Sequence, residues 1–199
     1  MTIEQPTILA MYSGGLDSLG MLYQLFTDPA YSEYSVHIHH VHNRNIEHRN
    51  RAEAIMVRQA LAELTRLGFT YQYSESEIAS QAYNHQFLYD TDTMNFFAGY
   101  IASANPSIVK VAFGMNAMDS NHSLQERLKR AKQIFSAFTT AEKIYPVLNM
   151  SKREIYASLP ETLRDLFWSC RRPVYTDYGV DTCGECRTCK QLAAEGIED

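Results

Sequence analysis

The sequence predicts an α/β fold, a parallel sheet with helices on both faces, and three observations carry that prediction. Short apolar or alternating runs rich in β-formers recur at residues 8–11, 35–41, 69–73, 108–113 and 144–148. Helical stretches separate most of these runs, which suits right-handed crossovers between parallel strands. A glycine turn then joins the first run to the first helix, where ligands meet such sheets. We read residues 1–199 as one domain, with residues 168–191 as a metal-binding C-terminal segment of it.

Taken in order, Ile8-Leu9-Ala10-Met11 reads as a buried strand, and residues 19–26 continue as a helix. Asp28-Pro29-Ala30 breaks the chain. Residues 35–41 alternate as a second strand, carrying His37, His39 and His40, with His42 just beyond. These histidines fall on opposite faces of a strand and lack a matching carboxylate, so a metal site there is disfavoured. Residues 47–67 form the longest helical stretch. Ala54, Val57, Leu61, Leu64 and Leu67 make its apolar stripe, and Arg49, Arg51, Glu53, Arg58 and Glu63 occupy much of its other surface. Gly68 ends it. A third strand is expected at 69–73, a loop or short helix at 75–92, and a largely buried helix at 93–104. The fourth strand, 108–113, runs into Gly114-Met115-Asn116-Ala117-Met118-Asp119-Ser120. A helix is expected at about 124–138, and a short strand at 144–148 whose Pro146 argues for an edge position. Ser151-Lys152-Arg153-Glu154 is a capping box opening another short helix.

The stretch Ser13-Gly14-Gly15-Leu16-Asp17-Ser18 lies between the first strand and helix. Adjacent glycines let the backbone turn tightly and approach a ligand. The helix beyond presents unpaired N–H groups and its positive dipole end, and Ser13 and Ser18 add hydroxyls, so the stretch suits a phosphate. Its spacing is neither that of the Walker loop nor Gly-x-Gly-x-x-Gly, and it contains no lysine. An ordinary capped turn would use some of the same residues. Ser-Gly-Gly-x-Asp-Ser resembles the pyrophosphate loop of ATP pyrophosphatases, in which the loop grips the β- and γ-phosphates while the α-phosphate is attacked. The carboxylate of Asp17 is then assigned to Mg²⁺ or to loop geometry.

Hydrophobic residues make up 45% and charged residues 21% of the 199, as in ordinary soluble proteins. No apolar run approaches the ~20 residues of a membrane span. The first residues carry an acid and no basic region, so a secretory signal is not expected and a cytoplasmic location is. A net charge of −5 argues against bulk nucleic-acid binding. The candidate basic patch, Arg127-Leu128-Lys129-Arg130-Ala131-Lys132, reads more simply as a solvated helix face.

All four cysteines fall late: Cys170, Cys183, Cys186 and Cys189. Clustered thiols without a secretory signal point to a metal before a disulfide. Four thiolates suit tetrahedral Zn²⁺ in a closed structural site. An iron–sulfur cluster or free buried thiols remain alternatives.

The pyrophosphate loop, Gly114-x-Asn116-x-x-Asp119, the 144–148 strand leading to Ser151-Lys152-Arg153-Glu154-Ile155, Trp168-Ser169-Cys170 and Cys183-Gly184-Glu185-Cys186-Arg187-Thr188-Cys189 follow one another along most of the chain. In that order they resemble the 7-cyano-7-deazaguanine synthase (QueC) family. The resemblance implies an adenine nucleotide alpha hydrolase-like fold of the pyrophosphate-loop type, with a four-cysteine zinc segment at its C-terminal end. It implies a ligase that adenylates 7-carboxy-7-deazaguanine, forms the amide with ammonia and dehydrates it to the nitrile, using ATP, Mg²⁺ and Zn²⁺. Catalytic roles fall to Ser13, Asp17 and Ser18. Cofactor binding falls to these with Met11, Tyr12, Gly14, Gly15, Leu16, His42, Gly114, Asn116 and Asp119. The cysteines hold the metal. Expected partners are a deazapurine carboxylate and ammonia; a homodimer is left open. The chain departs from the family in three places. Tyr89-Asp90-Thr91-Asp92 stands where the family carries Pro-Gly-Arg-Asn. Residues 121–127 replace its Tyr-Pro-Asp-Cys-Arg, and twelve residues separate Cys170 from Cys183. The substrate side therefore admits two alternatives: a diverged enzyme acting on RNA or another base, and a non-catalytic nucleotide-binding partner.

Overall fold

The computed structural model describes residues 5–79, 90–116 and 122–197, the side chains of residues 122–124 aside. Its centre is a five-stranded parallel sheet in the order β3-β2-β1-β4-β5, formed by β1 (Thr7–Met11), β2 (Ser35–Arg44), β3 (Gln72–Ala79), β4 (Ile108–Phe113) and β5 (Glu142–Ile144). The helices are α1 (Leu16–Thr27), α2 (Asn50–Arg66), α3 (Asp90–Ala104), α4 (His122–Ser136), α5 (Lys152–Ser158), α6 (Glu161–Arg164) and α7 (Arg187–Ala194), with a 3₁₀ turn at Pro29–Tyr31.

Both faces of β1 are buried, so its residues are apolar without alternation. Ile8, Ala10 and Tyr12 pack into one core with residues of α1, α2 and α5. Leu9 and Met11 pack into the other, with Ala98 and Ala102 of α3 and Phe135 of α4. The α1–α5 contact depends on Gly20. A Cβ there would lie 2.3 Å from Ile155 Cγ2, so only glycine lets α5 settle this close. At the end of α2, Gly68 adopts a φ of +89° and closes the helix as expected.

Several boundaries move. The third strand begins at Gln72 rather than residue 69, because Phe69 is taken up by stacking on Phe26, and residues 75–79 extend it. Residues 80–89 of the expected loop lie outside the described residues, and α3 begins at Asp90. The fifth strand is Glu142–Ile144, and Pro146 falls in the turn that follows it, since its ring nitrogen cannot join the ladder. The capping box forms as read: Ser151 Oγ accepts from Glu154 N, and Glu154 accepts from Ser151 N.

The long interval between Cys170 and Cys183 holds a small antiparallel hairpin, β6 (Val174–Thr176) and β7 (Gly179–Asp181). Tyr175 hydrogen-bonds the His48 carbonyl and lies beside the Arg51 guanidinium, which seats the hairpin at the start of α2. Neither this hairpin nor α7 was anticipated.

Candidate active site

The carboxyl ends of β1, β2 and β4 open into a cleft of about 1330 Å³, which also reaches α3, α4, α5 and the segment around Trp168. That exceeds the space a single small ligand fills. Its floor is the turn between β1 and α1. Gly14 takes a φ of +87°, in the left-handed region. Ser18 Oγ donates to the Gly15 carbonyl at 2.9 Å, and the Ser13 and Ser18 hydroxyls lie 2.9 Å apart. Gly15 caps α1 without a side-chain hydrogen bond, so no side chain fills the positive end of the helix. Gly114 packs over the same turn. A Cβ there would sit 2.5 Å from Ser18 Cα, so the end of β4 and the start of α1 approach through a glycine.

The turn has a cation after all. Lys152, the first residue of α5, reaches Asp17 with its Nζ 2.8 and 3.0 Å from the two carboxylate oxygens. Lys152 is buried, and both residues line the cleft. Gly20 and Ile155 meet one helical turn farther along α1 and α5, so their close approach sets Lys152 over Asp17. The carboxylate therefore has a partner without a metal. The capping box was legible in the sequence, but nothing in it revealed that Lys152 points into the site.

A second charged group borders the cleft at the start of α2 and α3. Arg49 pairs with Glu47, Glu53 and Asp90 at 2.6–2.7 Å, and Arg171 with Glu47 at 2.7 Å. Arg49 and Glu53 were expected on the solvent side of α2; Glu53 is instead buried, with Arg49 folded over it. Three carboxylates face two guanidiniums, and burial pushes Glu53, the deepest acid, up to about 7. Beside it, the buried side chains of Asn43 and Thr93 line the cleft, and Asn43 Oδ1 and Thr93 Oγ1 have no hydrogen-bond partner among the described residues.

The other expected site residues fall as follows. Met11, Ser13, Gly15, Leu16, Asp17, Ser18, Gly114 and Asn116 line the cleft. Tyr12 lies buried in the core beneath the turn, its carbonyl held by His40 Nδ1 at 2.8 Å. Burial lowers His40 to about 4, so it stays neutral and donates from Nδ1. His42 points to the same side as His40 and pairs with Glu75 across the β2–β3 ladder; from the end of β2 it is Val41 and Asn43 that line the cleft. His37 and His39 share Ser74 Oγ, at 2.7 Å each. Asp119 lies outside the described residues. The basic stretch of α4 is more than a solvated face, because Arg127, Lys129 and Lys132 line the cleft.

The four cysteines converge. One sulfur from each lies within 4.8 Å of the others, with 3.5 Å between Cys170 and Cys183 and 3.4 Å between Cys186 and Cys189. Zn–S bonds of ~2.3 Å in a tetrahedron put sulfurs about 3.8 Å apart, so a single zinc fits. Backbone N–H groups of Arg172, Cys183 and Cys186 point at sulfurs at 3.3 Å, which suits thiolates. This centre touches the cleft directly: Trp168 N donates to the Gly14 carbonyl at 2.8 Å, while its indole N–H donates to the Cys170 carbonyl at 2.9 Å.

No protein-family profile matches the chain, and no curated protein matches it. Among solved structures, the chain is similar to the U34-tRNA thiolase NcsA from Methanococcus maripaludis, solved with its [4Fe-4S] cluster. The TM-score is 0.54 at 14% identity, over 81% of this chain and 57% of that one. It is similar more distantly to an NH3-dependent NAD synthetase from Campylobacter jejuni, with a TM-score of 0.38 at 19% identity, over 78% of this chain and 63% of that one. The chain thus spans under two thirds of the length of either. What the thiolase likeness establishes is the fold: a five-stranded parallel sheet flanked by helices, here with a cysteine cluster able to bind a metal. Among the described residues no helix is long and apolar enough to cross a membrane.

Proposed function

We propose that the chain is an ATP-dependent ligase that transfers AMP to a carboxylate, releases pyrophosphate, and lets ammonia displace the AMP. The observation that carries this reading is the Ser13–Ser18 turn with Lys152 locked on Asp17 at the mouth of an uncapped helix. The β- and γ-phosphates would lie on the N–H groups of α1 and the hydroxyls of Ser13 and Ser18. Lys152, released in part from Asp17, would face the charge that grows on departing pyrophosphate. Mg²⁺, when bound with ATP at Asp17, would neutralise phosphate charge. The acceptor's oxygen attacks the α-phosphorus as the bond to pyrophosphate breaks, so the chain's contribution is positioning and electrostatics. The apolar walls Met11, Val41 and Phe113, with Asn43 and Thr93 at their edge, suit a planar base.

The resemblance to 7-cyano-7-deazaguanine synthases supports 7-carboxy-7-deazaguanine as that carboxylate. A second activation, of the amide, would lead to the nitrile for a 7-deazaguanine nucleic-acid modification such as queuosine. The four cysteines would hold zinc as a structural ion. As a working organisation, residues 1–199 make one domain acting in the cytoplasm.

The test is pyrophosphate release by the full chain with ATP, ammonia and 7-carboxy-7-deazaguanine, with product identified by mass spectrometry. Release dependent on all three, with amide or nitrile formed, supports the reading. ATP binding without turnover on this or other small carboxylates would sink it in favour of a nucleotide-binding partner.

A further inference from the structure

The cleft has a second cationic end. It runs on from the turn along the groove between α4 and the edge strand β5, and there Lys143 lies half-buried. The geometry points to an oxyanion subsite at Lys143, shaped for a phosphate or carboxylate group on the acceptor and separate from the ATP turn. It rests on the proposed reading only in taking the ligand to be a purine-like acceptor.

Four observations support it. Lys143 Nζ sits over the Phe135 ring at 4.5 Å and the Phe113 ring at 5.4 Å, which keeps the ammonium in the cleft rather than in solvent. Its one hydrogen-bond partner among the described residues is the neutral Asn95 side-chain oxygen, which leaves it donors to give. Asn95 is buried and its amide is fixed by a 2.7 Å bond from Nδ2 to the Thr91 carbonyl, so the lysine is aimed. Lys132 of α4 lies near enough to repel it, and no described carboxylate pairs with either lysine. Two like charges held in a partly apolar groove are relieved by an anion. Burial, with Lys132 second, lowers Lys143 to about 8, so it is still largely charged at neutral pH. Thr139 and Thr140 line the same end of the groove and bring hydroxyls.

A carboxylate that attacks the α-phosphorus must lie at the turn. An oxyanion at Lys143 is therefore either a second anionic group on the acceptor, such as a nucleotide phosphate, or the acceptor's carboxylate held before transfer. The test uses the full chain saturated with α,β-methylene ATP, comparing wild type, Lys143→Gln and Lys143→Arg by calorimetry. The ligands are guanosine, guanosine 5′-monophosphate and 7-carboxy-7-deazaguanine. In wild type and the Arg variant, at least one of the two anions is expected to bind tenfold or more tightly than guanosine, and the Gln variant to lose that preference. Loss confined to the monophosphate assigns the subsite to a phosphate; loss confined to the deazaguanine assigns it to a carboxylate. In wild type alone, inorganic phosphate should reduce acetylation of Lys143 read by mass spectrometry. An unchanged preference in the Gln variant, or no preference in wild type, overturns the proposal. Failure of the ATP reading would appear separately, as no saturable binding of the ATP analogue.

Discussion

Emptying the cysteine centre should weaken nucleotide binding at a turn that contains no cysteine. Trp168 links the two, with its backbone N–H on Gly14 and its indole packed among Ala52, Cys170, Cys186 and Cys189. If the four thiolates lose their ion and separate, the indole loses its packing and the Gly14 carbonyl loses its donor. A hydrogen bond contributes about 1 kcal/mol, and a buried group left unpaired costs about 1–3 kcal/mol. Gly14 holds an unusual φ that this bond helps fix, so the loss should fall on the bound turn. Affinity for ATP is then expected to drop roughly five- to 150-fold. Trp168 is the sole tryptophan, so its fluorescence reports both the metal and the nucleotide. The assay is an ATP titration before chelation, after it, and after zinc is restored, with Cys183→Ser as an independent way to open the centre. Equal affinity in all states would refute the linkage and leave the centre as a remote staple.

Four further outcomes are expected. Gly20→Ala forces a Cβ to within 2.3 Å of Ile155, which should cost about 1–3 kcal/mol in urea unfolding and lower pyrophosphate release by lifting Lys152 from Asp17. Lys152→Met should cut release about 10²-fold or more with far less change in thermal stability, and a variant that keeps its rate removes the lysine from the mechanism. Asp17→Ala should abolish release while zinc content, read by atomic emission, stays unchanged. Glu53, raised to about 7 by burial, keeps a proton in the folded state that the unfolded chain releases above its ordinary pKa near 4.5. Its contribution to stability is therefore full below pH 4.5 and is lost as pH rises to about 7, by at most about 3 kcal/mol. His39 and His40, lowered to about 4, act in the opposite direction below pH 6.5, so the measurement is the difference between wild type and Glu53→Gln across pH 5–8, which should slope and not stay flat.

The sheet was legible because its signal is local. Paired faces and turn residues at Ile8–Met11, Ser35–Val41 and Ile108–Phe113 mark strands without knowledge of anything distant. The turn at Ser13–Ser18 and the cysteine cluster were legible for the same reason, since each is a short spacing with its own chemistry. What escaped is what distant segments make together. Lys152 read as part of a cap, Glu53 and Arg49 as part of a polar helix face, and Lys143 fell just outside the expected 144–148 strand with no role assigned. Each is decided by a side chain from another element: Asp17, Asp90 and Asn95. The third strand moved because Phe69 had a better use against Phe26 than in a ladder.

The turn between β1 and α1 precedes both of its fasteners in the chain by a long way. These fasteners are Lys152 on Asp17 and Trp168 on Gly14, the first of them 135 residues on from its partner. Contacts of such separation close late, after the intervening chain has paid its loop entropy. The turn is thus fastened only after α5 and the Trp168 segment have joined the fold. A chain stopped before α5 could form most of its sheet and still lack the cation and the backbone clamp that fasten this turn.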